Sequence, residues 1–295
     1  GRFYDRDRLI ALPYDCAVAN TFYRQDIFEA NTKDFEAEYG YRMEFTTDTT
    51  WKNVLDYSTF LKKLRESGKD VPYGYAQHHG NFAWTTQLDI QRMMFAHGRW
   101  LDWEIDDKLG SKTPPPSNWG DEQSVLLMQK HKDIADVCHP DNLANGTLEL
   151  NTVYQAGDIA MQVQYHEFCA SIEDPGTSKA AGGKTAYAAC PKGEPSWIVN
   201  GGPAVNGTNC GIGGIGINGN ASEDVQRAAY IFCVYATSGD LQYDVLKGMG
   251  GTPTRKSVLE RADVKAARSR PTTMPNALTF DAVYDHGIKD PHFVL

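Results

Sequence analysis

The stretch RLIALPYDCAVANTFYRQDIFEANTKDFEAEYG, residues 8–40, decides the fold class. It opens with two short apolar runs, Arg8–Tyr14 and Ala17–Tyr23, and runs of this length are typical of strands. A helical stretch follows over Arg24–Tyr39, and Gly40 is a usual residue at the end of a helix. A strand that leads into a helix is the repeating unit of α/β proteins.

The rest of the chain continues this alternation. Thr50 is a candidate N-cap for a helix over Trp51–Ser67, and Ile159–Val163 has the apolar character of a buried strand. Further helices are predicted over Phe82–Gly98, over Ser124–Val137 and, after the candidate N-cap Ser222, over Glu223–Ala236. The sequence therefore predicts an α/β fold.

The composition limits the partners of the chain. The formal net charge is −9, so the basic face that nucleic-acid binding requires is not expected. No apolar run approaches the ~20 residues that are needed to span a bilayer. A length of 295 residues is compatible with one large domain or two ordinary ones.

The cysteine and glycine patterns do not indicate a cofactor. None of the six cysteines forms a C-x-x-C pair, so the common zinc and thioredoxin spacings are absent from the sequence. A disulfide among Cys169, Cys190 and Cys210 is left open. The glycine-rich tract Val199–Gly219 lacks a following Gly-Lys-Ser/Thr and does not match a dinucleotide motif. We therefore predict that the protein uses no cofactor.

Seven short motifs occur in an order that is similar to that of extracellular solute-binding proteins. They are Leu12–Tyr14 with Phe22–Phe28 (FYRQDIF), Phe35–Gly40 (FEAEYG), Thr50–Trp51, Tyr73–Tyr75, Gly157–Met161 (GDIAM), Gly213–Ile217 with Ala228–Ala236, and Gly250–Ser257 (GGTPTRKS). Each motif is loose alone, but together they cover nearly the whole chain. The chain resembles the maltose-binding and related carbohydrate-binding branch of these proteins.

The resemblance implies a type II periplasmic-binding-protein fold, with two α/β lobes around a ligand cleft that closes by hinge motion. It implies a monomeric component of an ABC importer that lies in the periplasm or, alternatively, outside the cell and tethered to the membrane. Such a protein captures a small polar ligand, most often a sugar, oligosaccharide or polyol, and delivers it to membrane permease subunits without catalysis.

The resemblance also sets the expected domain boundaries. Proteins of this family have most of their first lobe before the Leu12–Tyr14 crossover, whereas only 11 residues precede Leu12 here. We therefore expect an incomplete first lobe built from residues 1–14 and 211–250. The second lobe is expected to comprise residues 15–210 and 251–295.

Nine candidate ligand-binding residues lie where the resemblance places ligand contacts or beside them. They are Asp15, His79, Asn81, Trp84, Tyr165, His166, Glu167, Asn209 and Arg255. Sugars are held by hydrogen bonds to hydroxyl groups and by packing on aromatic faces, which suits these residue types. Ordinary structural roles stay open for them, such as core packing for Trp84 and Tyr165, helix capping for His79 and Asn81, and turn formation for Arg255.

Enzymatic readings have weaker support in the sequence. A secreted glycoside-cleaving enzyme is the alternative and would use two acids, such as Asp102, Glu104 or Glu167, but no local motif selects a pair. The pair His166–Glu167 is not a metalloprotease motif because residue 170 is alanine. Four histidines were considered as metal ligands, but no fixed spacing supports a site and none is predicted: His78, His79, His131 and His139.

Overall fold

A computed structural model of the chain describes residues 3–5, 8–80, 88–99, 120–199 and 201–285. Within these ranges the strands are β1 (Phe3–Asp5), β2 (Arg8–Arg24), β3 (Tyr73–Tyr75), β4 (Ile159–Tyr165), β5 (Thr185–Ala188) and β6 (Cys210–Ile215). The strands form one mixed sheet in the order β1-β2-β4-β3, with β5 and β6 also paired to β2. The α/β class predicted from the sequence is confirmed.

Ten α-helices lie in the described ranges. They are α1 (Gln25–Tyr39), α2 (Trp51–Glu66), α3 (Leu88–Ala96), α4 (Glu122–Ala135), α5 (Thr147–Ala156), α6 (Cys169–Glu173), α7 (Glu223–Ala236), α8 (Gly239–Met249), α9 (Lys256–Leu259) and α10 (Ala262–Ala266). None of the described helices is long and apolar enough to cross a membrane.

Strand β2 is a single element of 17 residues, although the sequence predicted two strands. The residues between the two apolar runs continue the pairing with β6, where Asp15 lies opposite Gly213 and Cys16 opposite Ile212. The register shifts between Pro13 and Asp15, next to a proline that has no backbone N–H to donate. The break in the apolar pattern therefore marks an irregularity within one strand.

The chain divides into two compact units. Unit 1 comprises Gly1–Ala19, Tyr165–Ser171 and Cys210–Leu295, and unit 2 comprises Asn20–Gln164 and Ile172–Asn209. Leu12 pairs with Ile215, so the Leu12–Tyr14 crossover and β6 share a sheet.

The two units differ from the predicted boundaries after residue 250. Residues that follow α8 belong to unit 1 with it, whereas the sequence analysis grouped 251–295 with residues 15–210. The reason is a buried apolar cluster that α8 shares with the later segments: Leu246, Val258, Val264, Ala267, Met274, Ala277 and Phe280. Such packing between distant segments leaves no local signal in the sequence.

In unit 2, local capping fixes the first two helices. Gly40 ends α1 with a positive φ of 79°, and its N–H donates to the Glu36 carbonyl. Thr50 and Asn53 form a reciprocal capping box at the start of α2. Both helices lie within a residue of their predicted bounds.

Helices α4 and α7 differ from the sequence prediction at their N-terminal ends. The side chain of Asp121 accepts the Ser124 N–H at 2.7 Å, so α4 begins two residues before the predicted Ser124. In unit 1, α7 has its predicted bounds, yet Ser222 makes no side-chain cap. Many apolar side chains of α7 are exposed, including Ile231 at 70%.

Strands β3 and β4 of unit 2 position the residues that directly follow β3. They pair in parallel, with Tyr73 opposite Ile159 and Tyr75 opposite Met161. Every residue of β4 from Ile159 to Gln164 is buried. In open α/β folds, ligands bind at the carboxyl ends of such strands. We therefore expect ligand contacts among the residues after β3.

Candidate ligand-binding site

The segment Gln77–Gly80, here the 77–80 segment, follows β3 and is held through its backbone. Asn142 Oδ1 accepts the Gln77 N–H at 3.0 Å, and the carbonyl oxygen of Asn145 accepts the Gly80 N–H at 2.8 Å. A Cβ on Gly80 would lie 2.6 Å from the Gly146 nitrogen, so glycine is required there. The segment therefore has a fixed course rather than that of a loose loop.

A buried ionic network lies behind this segment. Asp89 Oδ2 accepts the backbone N–H of His78 at 2.6 Å, and Asp89 Oδ1 accepts the Tyr75 hydroxyl at 3.1 Å. Arg92 Nη1 donates to Asp89 Oδ1 and to the Val163 carbonyl, both at 3.0 Å. Buried charges require such partners.

The pKa values of the network follow from this arrangement. Burial alone would raise the pKa of Asp89, but the ring and backbone N–H groups of His78 and the Arg92 guanidinium together lower it. Burial also lowers the pKa of His78. The network is thus an ionised Asp89–Arg92 pair that anchors a neutral His78.

His79 contacts a histidine that the sequence analysis considered only as a metal ligand. The Nε2 atoms of His79 and His131 are 2.9 Å apart, and the rings are nearly parallel at 11°. His131 is buried and Gln77 contacts its Nδ1 at 3.2 Å. His79 itself is partly exposed.

In unit 1, two of the predicted residues interact through their charge. Burial raises the pKa of Asp15. Glu167 is exposed, yet neighbouring protein atoms and the negative charge of Asp15 raise its pKa as well. Their carboxyl oxygens can accept hydrogen bonds from ligand hydroxyl groups.

Tyr165 lies beside the glycine-rich strand of the same unit. A Cβ on Gly211 would be 4.0 Å from Tyr165 Cε1, so the ring lies close to a backbone that has no side chain at this point. Tyr165 is partly buried. It belongs to unit 1, whereas His79 belongs to unit 2, so the two residues do not share a unit as we expected from the sequence.

Three further predicted residues have structural contacts. His166 is fully buried, and its Nδ1 accepts the Val18 N–H at 3.0 Å. Asn209 is buried in unit 2, where its Oδ1 accepts from Arg92 Nε at 2.7 Å. Arg255 Nε donates to the carbonyl oxygen of Thr237, the residue that caps the C-terminus of α7. These contacts engage polar atoms of all three side chains, although Arg255 is exposed while His166 and Asn209 are buried.

The remaining residues that the sequence analysis singled out lie outside the described part of the chain. Asn81 and Trp84 lie outside the described residues, as do the acids Asp102 and Glu104. Within the described ranges no group of three or more His, Cys, Asp or Glu side chains is arranged to hold a metal ion. His78 turns towards Asp89, and His139 Nδ1 instead accepts the Asp141 N–H at 3.2 Å.

Two of the thiols that were considered for a disulfide, Cys169 and Cys190, are buried, and the side chain of Cys210 lies outside the described ones. Cys169 Sγ donates to the Pro275 carbonyl at 3.0 Å. Burial raises the pKa of the Cys190 thiol to about 11, which keeps it protonated and unreactive.

Comparison with known families decides the class of the protein. The family model for bacterial extracellular solute-binding proteins matches residues 3–272. This chain belongs to the bacterial extracellular solute-binding proteins. Its two compact α/β units agree with the type II periplasmic-binding-protein fold, as the order of its motifs indicated.

Solved structures have a fold similar to that of this solute-binding protein. Maltose-bound MalE3 of T. maritima matches with a TM-score of 0.69 at 18% identity, over 94% of this chain and 62% of that one. A ribitol-bound solute-binding protein from Agrobacterium radiobacter K84 matches with 0.70 at 17% identity, over 96% and 61%. A D-mannitol-bound protein from Agrobacterium vitis S4 matches with 0.69 at 19% identity, over 96% and 60%.

This solute-binding protein thus spans about 60% of the length of each of these three chains. No curated protein sequence matches it. At such identities the structures establish the fold alone.

Several residues that shape the site of this solute-binding protein were missed from the sequence. Asp89 and Arg92 lie within a largely apolar helix, α3, and both are fully buried. Two opposite charges three positions apart on an apolar helix are themselves a signal of a buried ion pair. Gln77 and His131 gave no comparable signal because they meet across 54 positions of sequence.

Proposed function

We propose that the protein captures a small polar solute, such as a sugar or polyol, outside the cytoplasm and delivers it to the permease subunits of an ABC importer. The observation that carries this proposal is the match to the extracellular solute-binding family over residues 3–272. Maltose, ribitol and D-mannitol in the proteins of similar fold support the ligand class. In this proposal the protein acts as a periplasmic monomer and releases the ligand chemically unchanged.

We propose ligand contacts in each unit separately. His79 in unit 2 can hydrogen-bond a hydroxyl group, and Tyr165 in unit 1 can pack on the apolar face of a sugar. Asp15 and Glu167 in unit 1 can hydrogen-bond further hydroxyl groups. His166, Asn209 and Arg255 are proposed to support these positions, since their polar atoms are engaged by backbone or by Arg92.

A thermal-unfolding screen tests this function. The panel should contain maltose, ribitol, D-mannitol and small charged solutes, each followed by mass analysis of the recovered solute. At ~100 times its dissociation constant, a ligand that binds only the folded state stabilises it by roughly 2.7 kcal/mol. Stabilisation by a sugar or polyol with no new product supports the proposal, whereas glycoside cleavage would favour the enzymatic alternative.

A further inference from the structure

Three polar side chains of unit 2 form a continuous line of contacts. His79 Nε2 lies 2.9 Å from His131 Nε2. On the far side of the His131 ring, Gln77 Nε2 lies 3.2 Å from His131 Nδ1 and also 3.2 Å from the His131 carbonyl oxygen. Gln77 is fully buried and His131 is 6% exposed, so water competes little for these contacts.

The His131 carbonyl fixes the orientation of the Gln77 amide. A carbonyl oxygen only accepts hydrogen bonds, so the NH₂ group of Gln77 must face it. Rotation of the amide by half a turn would bring Oε1 against that carbonyl and place two acceptors in contact. Because the same NH₂ group faces His131 Nδ1, that nitrogen must be the acceptor and carry no proton.

This orientation determines the tautomers of both histidines. A neutral imidazole without a proton on Nδ1 carries it on Nε2, so His131 Nε2–H donates to His79 Nε2. His79 Nε2 is therefore an acceptor, and neutral His79 keeps its proton on Nδ1. Among the described residues, no hydrogen-bond partner is found for His79 Nδ1.

We propose that Gln77, His131 and His79 form a directional hydrogen-bond chain that makes His79 Nδ1–H a fixed donor to the ligand. The ligand atom at this position is then an acceptor oxygen of a hydroxyl, ether or carboxylate group. An ammonium group is rejected because it would bring a donor against a donor. The assignment of the tautomers is independent of the proposed function, whereas the ligand preference rests on it.

The same contacts oppose a metal ion at the two histidines. Both Nε2 atoms could in principle bind one Zn²⁺ at ~2.0–2.1 Å. His131 Nε2 would then have to lose its proton, and His131 Nδ1 would have to gain one opposite the Gln77 NH₂ group. The chain of donors therefore selects an oxygen-bearing ligand over a divalent metal.

Histidine-selective ¹⁵N nuclear magnetic resonance of the whole protein at neutral pH tests the assignment. We expect the ring proton on Nε2 of His131 and on Nδ1 of His79, with signals assigned through single His→Gln variants. His97 is an internal reference because its contacts fix its tautomer, with the ring proton on Nδ1. Its Nδ1 lies 2.7 Å from the Met93 carbonyl, and its Nε2 accepts the Glu194 N–H at 2.9 Å. A proton on His131 Nδ1 would overturn the proposal.

The variant Gln77→Glu should reverse the direction of the hydrogen bonds from Gln77 through His131 to His79. The carboxyl oxygen that replaces the NH₂ group can donate its proton to the His131 carbonyl and accept a hydrogen bond from His131 Nδ1–H. We therefore expect the His131 proton on Nδ1 and the His79 proton on Nε2. His97 should keep its own tautomer, which reports that unit 2 is still folded. Unchanged tautomers of His79 and His131 in the folded variant would contradict the proposal, as would loss of both Nε2 signals on addition of ZnCl₂.

A ligand found in the thermal screen tests the proposed preference for an acceptor oxygen at His79 Nδ1–H. Its addition should shift the His79 Nδ1–H signal, and His79→Phe should weaken binding at least tenfold. A bound ligand that leaves this signal unmoved would overturn the ligand preference alone. Failure of every sugar and polyol to bind would count against the proposed function, while the tautomers could still be measured.

Discussion

Asp89 Oδ2 accepts the backbone N–H of His78 at 2.6 Å, so a buried carboxylate of α3 fixes the course of the 77–80 segment. The same carboxylate pairs with Arg92 at 3.0 Å, and both side chains are essentially inaccessible to water. The segment that bears His79 is thus anchored by a charge inside unit 2.

We expect Asp89→Ala to destabilise the protein by about 3–5 kcal/mol, because the buried Arg92 guanidinium would lose its ion pair with Asp89. Denaturant unfolding measures this change in the free energy of unfolding. Asp136→Ala is the matched control, since Asp136 pairs with Lys132 at the surface, where both side chains are at least 60% exposed. Equal losses in the two variants would contradict the anchoring role of Asp89.

The capping box at the start of α2 should contribute measurably to the stability of the protein. Thr50→Ala removes the capping box with Asn53 and should lower the free energy of unfolding by about 1 kcal/mol. Ser222 occupies the same position before α7 but makes no side-chain cap, so Ser222→Ala should have a much smaller effect. Similar effects at the two positions, measured by denaturant unfolding, would refute this account of the cap.

Gly80 should tolerate no side chain. Its Cβ would lie 2.6 Å from the Gly146 backbone nitrogen, so we expect Gly80→Ala to destabilise the protein by about 1–3 kcal/mol. Gly248→Ala is the control, because no atom lies within 4 Å of a Cβ there and the residue is inside α8. That control should stabilise the protein by about 0.5–1 kcal/mol, and a neutral Gly80→Ala would be incompatible with the close contact.

Acid should destabilise the protein through two buried histidines. Burial lowers the pKa of His131 and of His166 from 6.5 to about 4. Between these values the unfolded chain binds more protons, so the free energy of unfolding falls as the pH drops from about 6.5 to about 4. Each histidine accounts for a loss of roughly 3 kcal/mol.

Unfolding measured across this pH range in His131→Gln should show a shallower loss of stability than the parent protein. His166→Gln tests the same effect in unit 1. A variant whose stability falls with pH as steeply as that of the parent would show that the substituted histidine is not the group that takes up the proton.

Local signals in the sequence predicted the elements that depend on local chemistry. Gly40 and Thr50 mark the end of α1 and the start of α2, and both act as expected. Strand β2 was divided in error because Asp15 interrupts the apolar pattern while its backbone still pairs with Gly213. A pattern of side chains does not report the continuity of backbone hydrogen bonds.

The site was predictable only where family motifs or chemistry-bearing residues point to it. His79 was predicted as a ligand contact in this way and stays a prediction. Its neighbour His131 lies 52 positions away, and no sequence pattern near either residue indicates their contact. His166 was proposed to contact ligand because it follows a strand, yet it is buried against the Val18 backbone. Which polar residue turns inwards depends on tertiary packing that one sequence does not reveal.

Tyr165 provides the test of the ligand contacts in unit 1. Tyr165→Ala should weaken binding of the cognate solute about tenfold or more, since a lost contact of about 1.4 kcal/mol is one decade in affinity. Calorimetry gives the affinity, and denaturant unfolding of the same variant gives its stability. Loss of about 3–5 kcal/mol of stability with unchanged affinity would identify Tyr165 as a core residue.

Native mass spectrometry of the protein mixed with sugars and polyols tests the central claim most directly. The account predicts a complex of one protein with one sugar or polyol, from which the solute is recovered with its mass unchanged after prolonged incubation. A protein that retains no member of the panel, or that converts one into a new product, would contradict capture without chemistry.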